Sequence, residues 1–273
     1  MKRLISTLVV LFSAFITFSN PQSHPVDTNG FKQLKAVLIV GHQEDLTEWA
    51  IETMNEIADF LDQKGVVVHK FYDDEAIWDD IVVAATGANF FIYGGHGSHL
   101  GKNGGAGGIC VEPTVGPTKM MKELKLHANA LVVFKSVCSG AGSSAGDDTD
   151  IGIIEARKRI TDYSNPFFEI GASAYYANNV GNGCLSFLEY FFSGKTIKEC
   201  YEESTGRYKL EASKVYSHDQ LKQLGVSSST GITTRTTYTN GEKKVERIPT
   251  IKEYSIAYVG VPEYNINALM RRN

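Results

Sequence analysis

The sequence predicts an α/β fold, a mostly parallel central sheet with helices on both faces. Three observations lead there. The runs Asn89–Tyr93 and Leu131–Val137 are short and apolar at every position, the pattern of strands buried on both sides rather than on one. Strand and helix patterns alternate through the first half of the chain, the order of a doubly wound unit. Helix start and stop signals, not tight hairpin turns, separate the early strands.

Each element has its own justification. Lys35–Val40 is the first strand. Asp45-Leu46-Thr47-Glu48 has capping-box spacing, and Ala50, Met54, Ile57, Ala58 and Leu61 then share one helical face, with Gly65 as the stop. Val66–Phe71 is the second strand, Asp79–Ala85 a short helix, and Asn89–Tyr93 the third strand. A glycine-rich loop over 97–108 leads to a short strand at Ile109–Glu112. Pro117 opens a helix to about Leu126, because proline suits the first helical turn. Leu131–Val137 is the fourth strand, and Ser139–Asp148 a second loop. Ile151–Ile160 is a helix capped by Asp148 or Thr149, Gly171–Ala177 the fifth strand, and Cys184–Phe192 an amphipathic helix. Thr196–Glu199 is another capping box, opening a helix to about Leu210. Asn240-Gly241 marks a hairpin between Thr233–Thr239 and Lys243–Ile248. That hairpin reads as an insertion, about 225–250, before a last buried strand at Tyr254–Val259.

The chain has 273 residues, 42% hydrophobic and 21% charged, enough for one domain with a substantial core. A formal net charge of −4 with no basic tract argues against nucleic acid as a partner, since neutralising phosphates takes clustered Lys and Arg. Met1-Lys2-Arg3 followed by the apolar run Leu4–Phe18 predicts a secretory signal peptide over 1–23, then a leader over 24–34 and one domain over 35–273. After cleavage no membrane span is expected, so the protein is read as secreted or periplasmic. Four cysteines remain: Cys110, Cys138, Cys184 and Cys200. Export permits disulfides, and Cys184 with Cys200 is the pair open to one.

Parallel strands deliver their carboxyl ends to one edge, where open α/β sheets do their chemistry. His96 follows the third strand there, and Cys138 follows the fourth. A thiol and an imidazole at one edge are a candidate nucleophile and proton carrier. Gly97 N–H and Cys138 N–H are candidate oxyanion donors, glycine permitting close approach. His42 and Glu44, past the first strand, are candidates to line the pocket. The competing reading of Cys138 is an inert core thiol. Ser139 is not the serine of a Gly-x-Ser-x-Gly, so it is disfavoured as a serine-hydrolase nucleophile.

The ordered set Tyr93-Gly94-Gly95-His96-Gly97-Ser98, then Ser136-Val137-Cys138-Ser139-Gly140, resembles the caspase-like superfamily of cysteine peptidases, closest to its gingipain- and clostripain-type bacterial members. Gly171–Tyr176, Phe187–Phe192 with Gly194-Lys195-Thr196, and Tyr258–Pro262 are similar to later elements of such domains, so the resemblance covers most of Lys35–Tyr264. It implies a caspase-like three-layer sandwich, a His96–Cys138 dyad, Gly97 in the oxyanion hole, and hydrolysis of a peptide or protein substrate through a thioester. Where caspases carry an arginine that reads an acidic P1 residue, the one before the scissile bond, this chain has Tyr176-Ala177-Asn178-Asn179. Where clostripain-like enzymes carry an aspartate that helps bind a basic P1, it has Ser136. Tyr176, Asn178 and Ser136 are therefore pocket candidates. Asp147, Asp148 and Asp150 either replace the missing acid or cap the next helix. No cofactor is expected. Calcium, which some relatives hold, has this same acidic run as its one candidate site, without the complete twelve-residue loop of an EF-hand. A silent binding or sensor domain and a legumain-like transpeptidase are the alternatives. Neither the P1 residue nor the oligomeric state is legible.

Overall fold

The structure, a computed structural model, describes residues 33–271 except 213, 214, 220, 240 and 241. The expected signal peptide and all but the last two residues of the leader lie outside the described residues. The elements are β1 (Lys35–Val40), α1 (Thr47–Gln63), β2 (Val67–Tyr72), α2 (Trp78–Ala85), β3 (Phe90–Gly94), β4 (Gly97–Ser98), β5 (Gly108–Ile109), α3 (Pro117–Glu123), β6 (Leu131–Lys135), α4 (Gly152–Glu169), β7 (Ala174–Asn178), α5 (Gly183–Phe192), α6 (Ile197–Arg207), β8 (Glu211–Ala212), β9 (Tyr216–Ser217), β10 (Gln223–Thr239), β11 (Glu242–Gly260) and α7 (Ile266–Met270). The main sheet runs β2-β1-β3-β6-β7-β11-β10-β8, with β9 also on β10. Strands β2, β1, β3, β6 and β7 are parallel, and β11 and β10 add antiparallel neighbours.

Strand alternation divides the core into two layers. Val37, Ile39, Phe91, Tyr93, Val132, Phe134 and Tyr175 meet α2, α3 and α4 on one face. Leu38, Val40, Phe90, Ile92, Leu131, Val133 and Tyr176 meet α1, α5, α6 and α7 on the other. Each such large apolar side chain, fully buried, contributes about 1.5–3 kcal/mol. The central strands β1, β3, β6 and β7 are therefore dry on both sides, as the uninterrupted apolar runs of β3 and β6 foretold, whereas edge strand β2 is not. Among the described residues no helix is long and apolar enough to cross a membrane.

Several expected details differ. The capping box at Asp45–Glu48 does not form; Glu44–Leu46 makes a tight turn, and Thr47 Oγ1 accepts the Gln43 N–H at 2.8 Å instead. The box at Thr196–Glu199 does form. Neither Asp148 nor Thr149 caps α4, which starts at Gly152 and runs on to Glu169 because Tyr163 and Phe167 continue its buried stripe. The strand expected at Ile109–Glu112 shrinks to Gly108–Ile109, paired with Gly97–Ser98. The hairpin is longer than its turn signal suggested. Thr239 pairs with Glu242 around the expected Asn240-Gly241 turn, and the second arm runs on as the strand against β7. The ribbon and the closing strand are thus one element.

Candidate active site

β3 and β6 lie side by side in register, Gly94 opposite Lys135, so the segments beyond the two strands emerge at one edge. After β3 the chain turns through Gly95, at φ +155°, where a Cβ would stand 2.5 Å from the Tyr93 hydroxyl. That hydroxyl donates to the His96 carbonyl at 2.8 Å and accepts the Cys110 N–H at 3.0 Å, clamping the turn. Gly97 then passes so close to the next strand end that a Cβ there would lie 2.3 Å from the Cys138 carbonyl oxygen and 2.3 Å from the Tyr163 hydroxyl. His96 and Cys138 therefore leave the sheet as neighbours, with the backbone of Gly97 against that of Cys138.

Cys138 sits in a tight turn closed by Gly140 N–H on Val137 C=O at 2.9 Å. Left-handed residues flank it, Ser136 at φ +56° and Ser139 at φ +67°. Non-glycine residues held there cost about 1–3 kcal/mol each and persist only where surroundings enforce them. Here the enforcement is visible. Tyr175 Oη donates to the Gly140 carbonyl at 2.9 Å, Ser139 N–H bonds the Ser143 carbonyl, and Ser143 is tied on both sides to Tyr254. The thiol stays partly exposed.

Of the other three thiols, Cys110 is partly exposed too, and Cys184 and Cys200 are buried. Burial pushes Cys184 and Cys200 each up to about 12, and burial also raises Cys110. Cys184 and Cys200 are both free, so the disulfide left open between them is absent; each sulfur bonds a main-chain carbonyl in the core instead.

The exposed His96 is oriented by Glu44, whose Oε2 accepts from Nε2 at 3.0 Å. That hydrogen bond holds the Glu44 carboxyl below its usual range. An ionised acceptor fixes the proton on Nε2 and leaves Nδ1 for exchange. In the sequence Glu44 stands out only as a pocket neighbour. Its signal is the short reach from the end of β1, but its backbone, at φ +47°, is not foreseeable there.

Two amides suit an oxyanion. Cys110 N–H bonds the His96 carbonyl at 3.3 Å, so Gly97 and Ile109 form the non-hydrogen-bonded pair of the β4–β5 ribbon and the Gly97 N–H points away from it. Among the described residues the Cys138 N–H donates to no main-chain carbonyl.

The remaining candidates separate. Ser136 lines a cleft of about 510 Å³ together with Cys138. Tyr176 and Asn178 do not: both are buried, Tyr176 stacked 3.7 Å from Phe187, and the Asn178 amide donates to the Tyr176 hydroxyl while its carbonyl oxygen takes the Val180 N–H. Their pocket assignment fails because β7 turns that face into the core; Asn179 and Val180 line the cleft instead. Asp147 is also committed, with both oxygens 2.9 Å from Arg159 Nη1 and one on the Ser144 N–H. A carboxylate neutralised this way fits neither a basic substrate side chain nor calcium. Among the described residues no cluster of three or more His, Cys, Asp or Glu is arranged for a metal. Asp148 lies outside the cleft lining. His42 belongs to a separate cleft of about 260 Å³, beside Cys110, where its Nδ1 meets Asp73 at 2.7 Å.

The chain matches no family model, and a search of curated proteins finds no sequence similar to it.

Proposed function

We propose that this protein is a cysteine endopeptidase with a caspase-like three-layer fold, exported after loss of its signal peptide to the periplasm or the extracellular space. One observation carries the reading. Cys138 is a partly exposed thiol, fixed between two left-handed residues at a strand end, directly beside a strand end that carries an oriented imidazole. Proteins hold such strain where presentation of a group matters.

In the proposed reaction the Cys138 sulfur, having given its proton to His96, attacks the carbonyl carbon of the scissile bond. The developing oxyanion takes hydrogen bonds from the Gly97 and Cys138 N–H groups. His96 returns the proton to the leaving amine as the C–N bond breaks, giving a thioester. A water, deprotonated by His96, then attacks the thioester and releases the acid and the thiol. Glu44 is a positioning residue, holding the ring and its tautomer.

The experiment is labelling with a peptidyl acyloxymethyl ketone and tandem mass spectrometry, alongside turnover of a mixed peptide library. Adduct on Cys138, and turnover that disappears in Cys138→Ala, supports the reading. Adduct confined to Cys110, or turnover that survives Cys138→Ala, ends it.

A further inference from the structure

We infer that Trp49 is a substrate platform: its exposed ring, with Leu46 beside it, receives an apolar side chain from the leaving half of the peptide, at one of the first two positions past the scissile bond, P1′ or P2′. The inference rests on the peptidase reading above and names a substrate preference of that same site. Among the described side chains Trp49 carries the one exposed aromatic ring, at 42%, whereas the other tryptophan, Trp78, is fully buried. Leu46, at 57%, precedes it by three residues at the mouth of α1, the spacing of neighbours on one helical face.

Two ties hold this pair at the candidate dyad. Glu44 stands two residues before Leu46, in the turn that opens α1, and its carboxylate accepts from His96 Nε2 at 3.0 Å. Lys135 is the second tie. It closes β6 opposite Gly94, three residues before Cys138, and its ammonium lies 4.0 Å from the centroid of the Trp49 ring. Lys135 is 2% exposed, and among the described residues no carboxylate forms an ion pair with it; Glu56, an acid whose field reaches it, hydrogen-bonds Asn182. Lysine is almost never buried without a partner for its charge. Here the indole face is that partner, and the attraction fixes the ring at the sheet edge. A side chain packing on a ring already fixed costs little further ordering.

Strand order decides which half of the substrate meets it. The sheet runs β1-β3-β6-β7-β11 through its centre. The cleft beside Cys138 lies toward β7 and β11, lined by Asn179, Val180 and Tyr254. His96, Glu44 and the start of α1 lie on the other side of β6, past β3 and β1. Cys138 takes the acyl carbon and His96 protonates the leaving nitrogen. The acyl half of a peptide therefore occupies the cleft, and the amine half runs past His96 toward β1, onto Leu46 and Trp49.

The test uses the purified protein and internally quenched peptides built on a sequence cut in the mixed library. They are identical except for phenylalanine, leucine, glycine or glutamate at P1′ and, in a second set, at P2′. At one of the two positions phenylalanine and leucine should exceed glycine by about tenfold in kcat/KM, the low end for an added apolar group. Trp49→Ala brings that ratio to within about twofold, Trp49→Phe keeps most of it, and Lys135→Met, which removes the cation and keeps a stem, lowers it by about threefold. Val83→Ala, exposed on α2 across the sheet from α1, leaves it as it was. A peptidyl fluoromethyl ketone carries the acyl half alone, and its labelling rate at Cys138 should be the same in wild type and Trp49→Ala. Cys138-dependent cleavage indifferent to P1′ and P2′, an apolar preference that survives Trp49→Ala, or a loss in that variant shared equally by the glycine peptide and the ketone, overturns this assignment and leaves the peptidase standing. No cleavage of any peptide and no label on Cys138 overturns both.

Discussion

The carboxyl edge of the sheet carries two sets of the same three groups, a thiol, an imidazole and a carboxylate, and the backbone presents their sulfurs differently. One joins Cys138, at the end of β6, to the His96–Glu44 pair past the neighbouring strand β3; the other is Cys110, His42 and Asp73. Both carboxylates come from residues in the left-handed region, Glu44 at φ +47° and Asp73 at φ +53°. The thiols separate the sets. Cys138 is raised on a strained turn over the larger cleft. Cys110 lies beside the smaller cleft, and its N–H and carbonyl are both taken into the clamp around Tyr93. Composition does not distinguish the two sets; the backbone geometry around the sulfur does.

Exchanging the two sulfurs gives the largest contrast. Cys138→Ala should cut kcat/KM by about 10³-fold or more, as loss of a nucleophile does. Cys110→Ser should stay within about twofold, because it touches no reacting atom. Equal losses in the two variants, measured on one peptide with folding checked by circular dichroism, would mean that the edge works as one site. The carboxylates come next. Glu44→Gln removes the acceptor that fixes the His96 tautomer, and kcat should fall by about tenfold to a hundredfold with KM little changed. Its pH–rate profile should shift, which a purely structural loss would not do. Asp73→Asn should leave kcat within about twofold. A larger fall for Asp73→Asn would reverse the ranking of the sets.

Strain around Cys138 gives a smaller, oppositely signed effect. Ser136→Gly and Ser139→Gly each relieve a left-handed residue, worth about 1–2 kcal/mol less whatever glycine costs in chain entropy. Each should raise Tm by about 2–4 °C for a gain of 1 kcal/mol. Activity should drop at the same time, since the thiol is less firmly presented. A lower Tm in both variants would show that the serine side chains, not the turn, hold this loop.

The legibility of each residue in the sequence depends on what holds it in place. The placement of His96 and Cys138 at neighbouring strand ends was readable because they follow apolar runs that buried strands require, and β3 and β6 are adjacent in the sheet. Glu44 was obscured by a neighbouring capping-box spacing, which the tight turn at Glu44–Leu46 displaced. Tyr176 and Asn178 were misassigned because β7 is buried on both faces, so its sequence does not mark which side meets solvent. Asp147 looked like a free acid because its partner, Arg159, lies well along the next helix. The bulge at Ser255 has no glycine or proline to announce it, and it moves Tyr254 into the layer shared with α4. Strand identity is a local property of the chain; which way a particular side chain faces depended each time on a distant contact.

The two imidazoles also part in their pH response, the smallest effect and the one that isolates the second set. Hydrogen bonding to Asp73 raises the His42 pKa above its ordinary 6.5. A group raised on folding contributes stability that is fully present below its unfolded pKa and is lost as pH rises through the folded value. Asp73→Asn should therefore lower Tm slightly near pH 5.5 and leave it unchanged near pH 9. Glu44 has the opposite sign. Its carboxyl is depressed by His96, so its contribution is present above its ordinary 4.5 and is lost as pH falls through the folded value. Both pairs are exposed, and salt should shrink both effects. Differential scanning fluorimetry of wild type, Asp73→Asn and Glu44→Gln from pH 4 to pH 9 resolves the two. An Asp73→Asn difference that grows toward alkaline pH would rule out the His42–Asp73 pair as its source and leave Asp73 acting through its backbone turn.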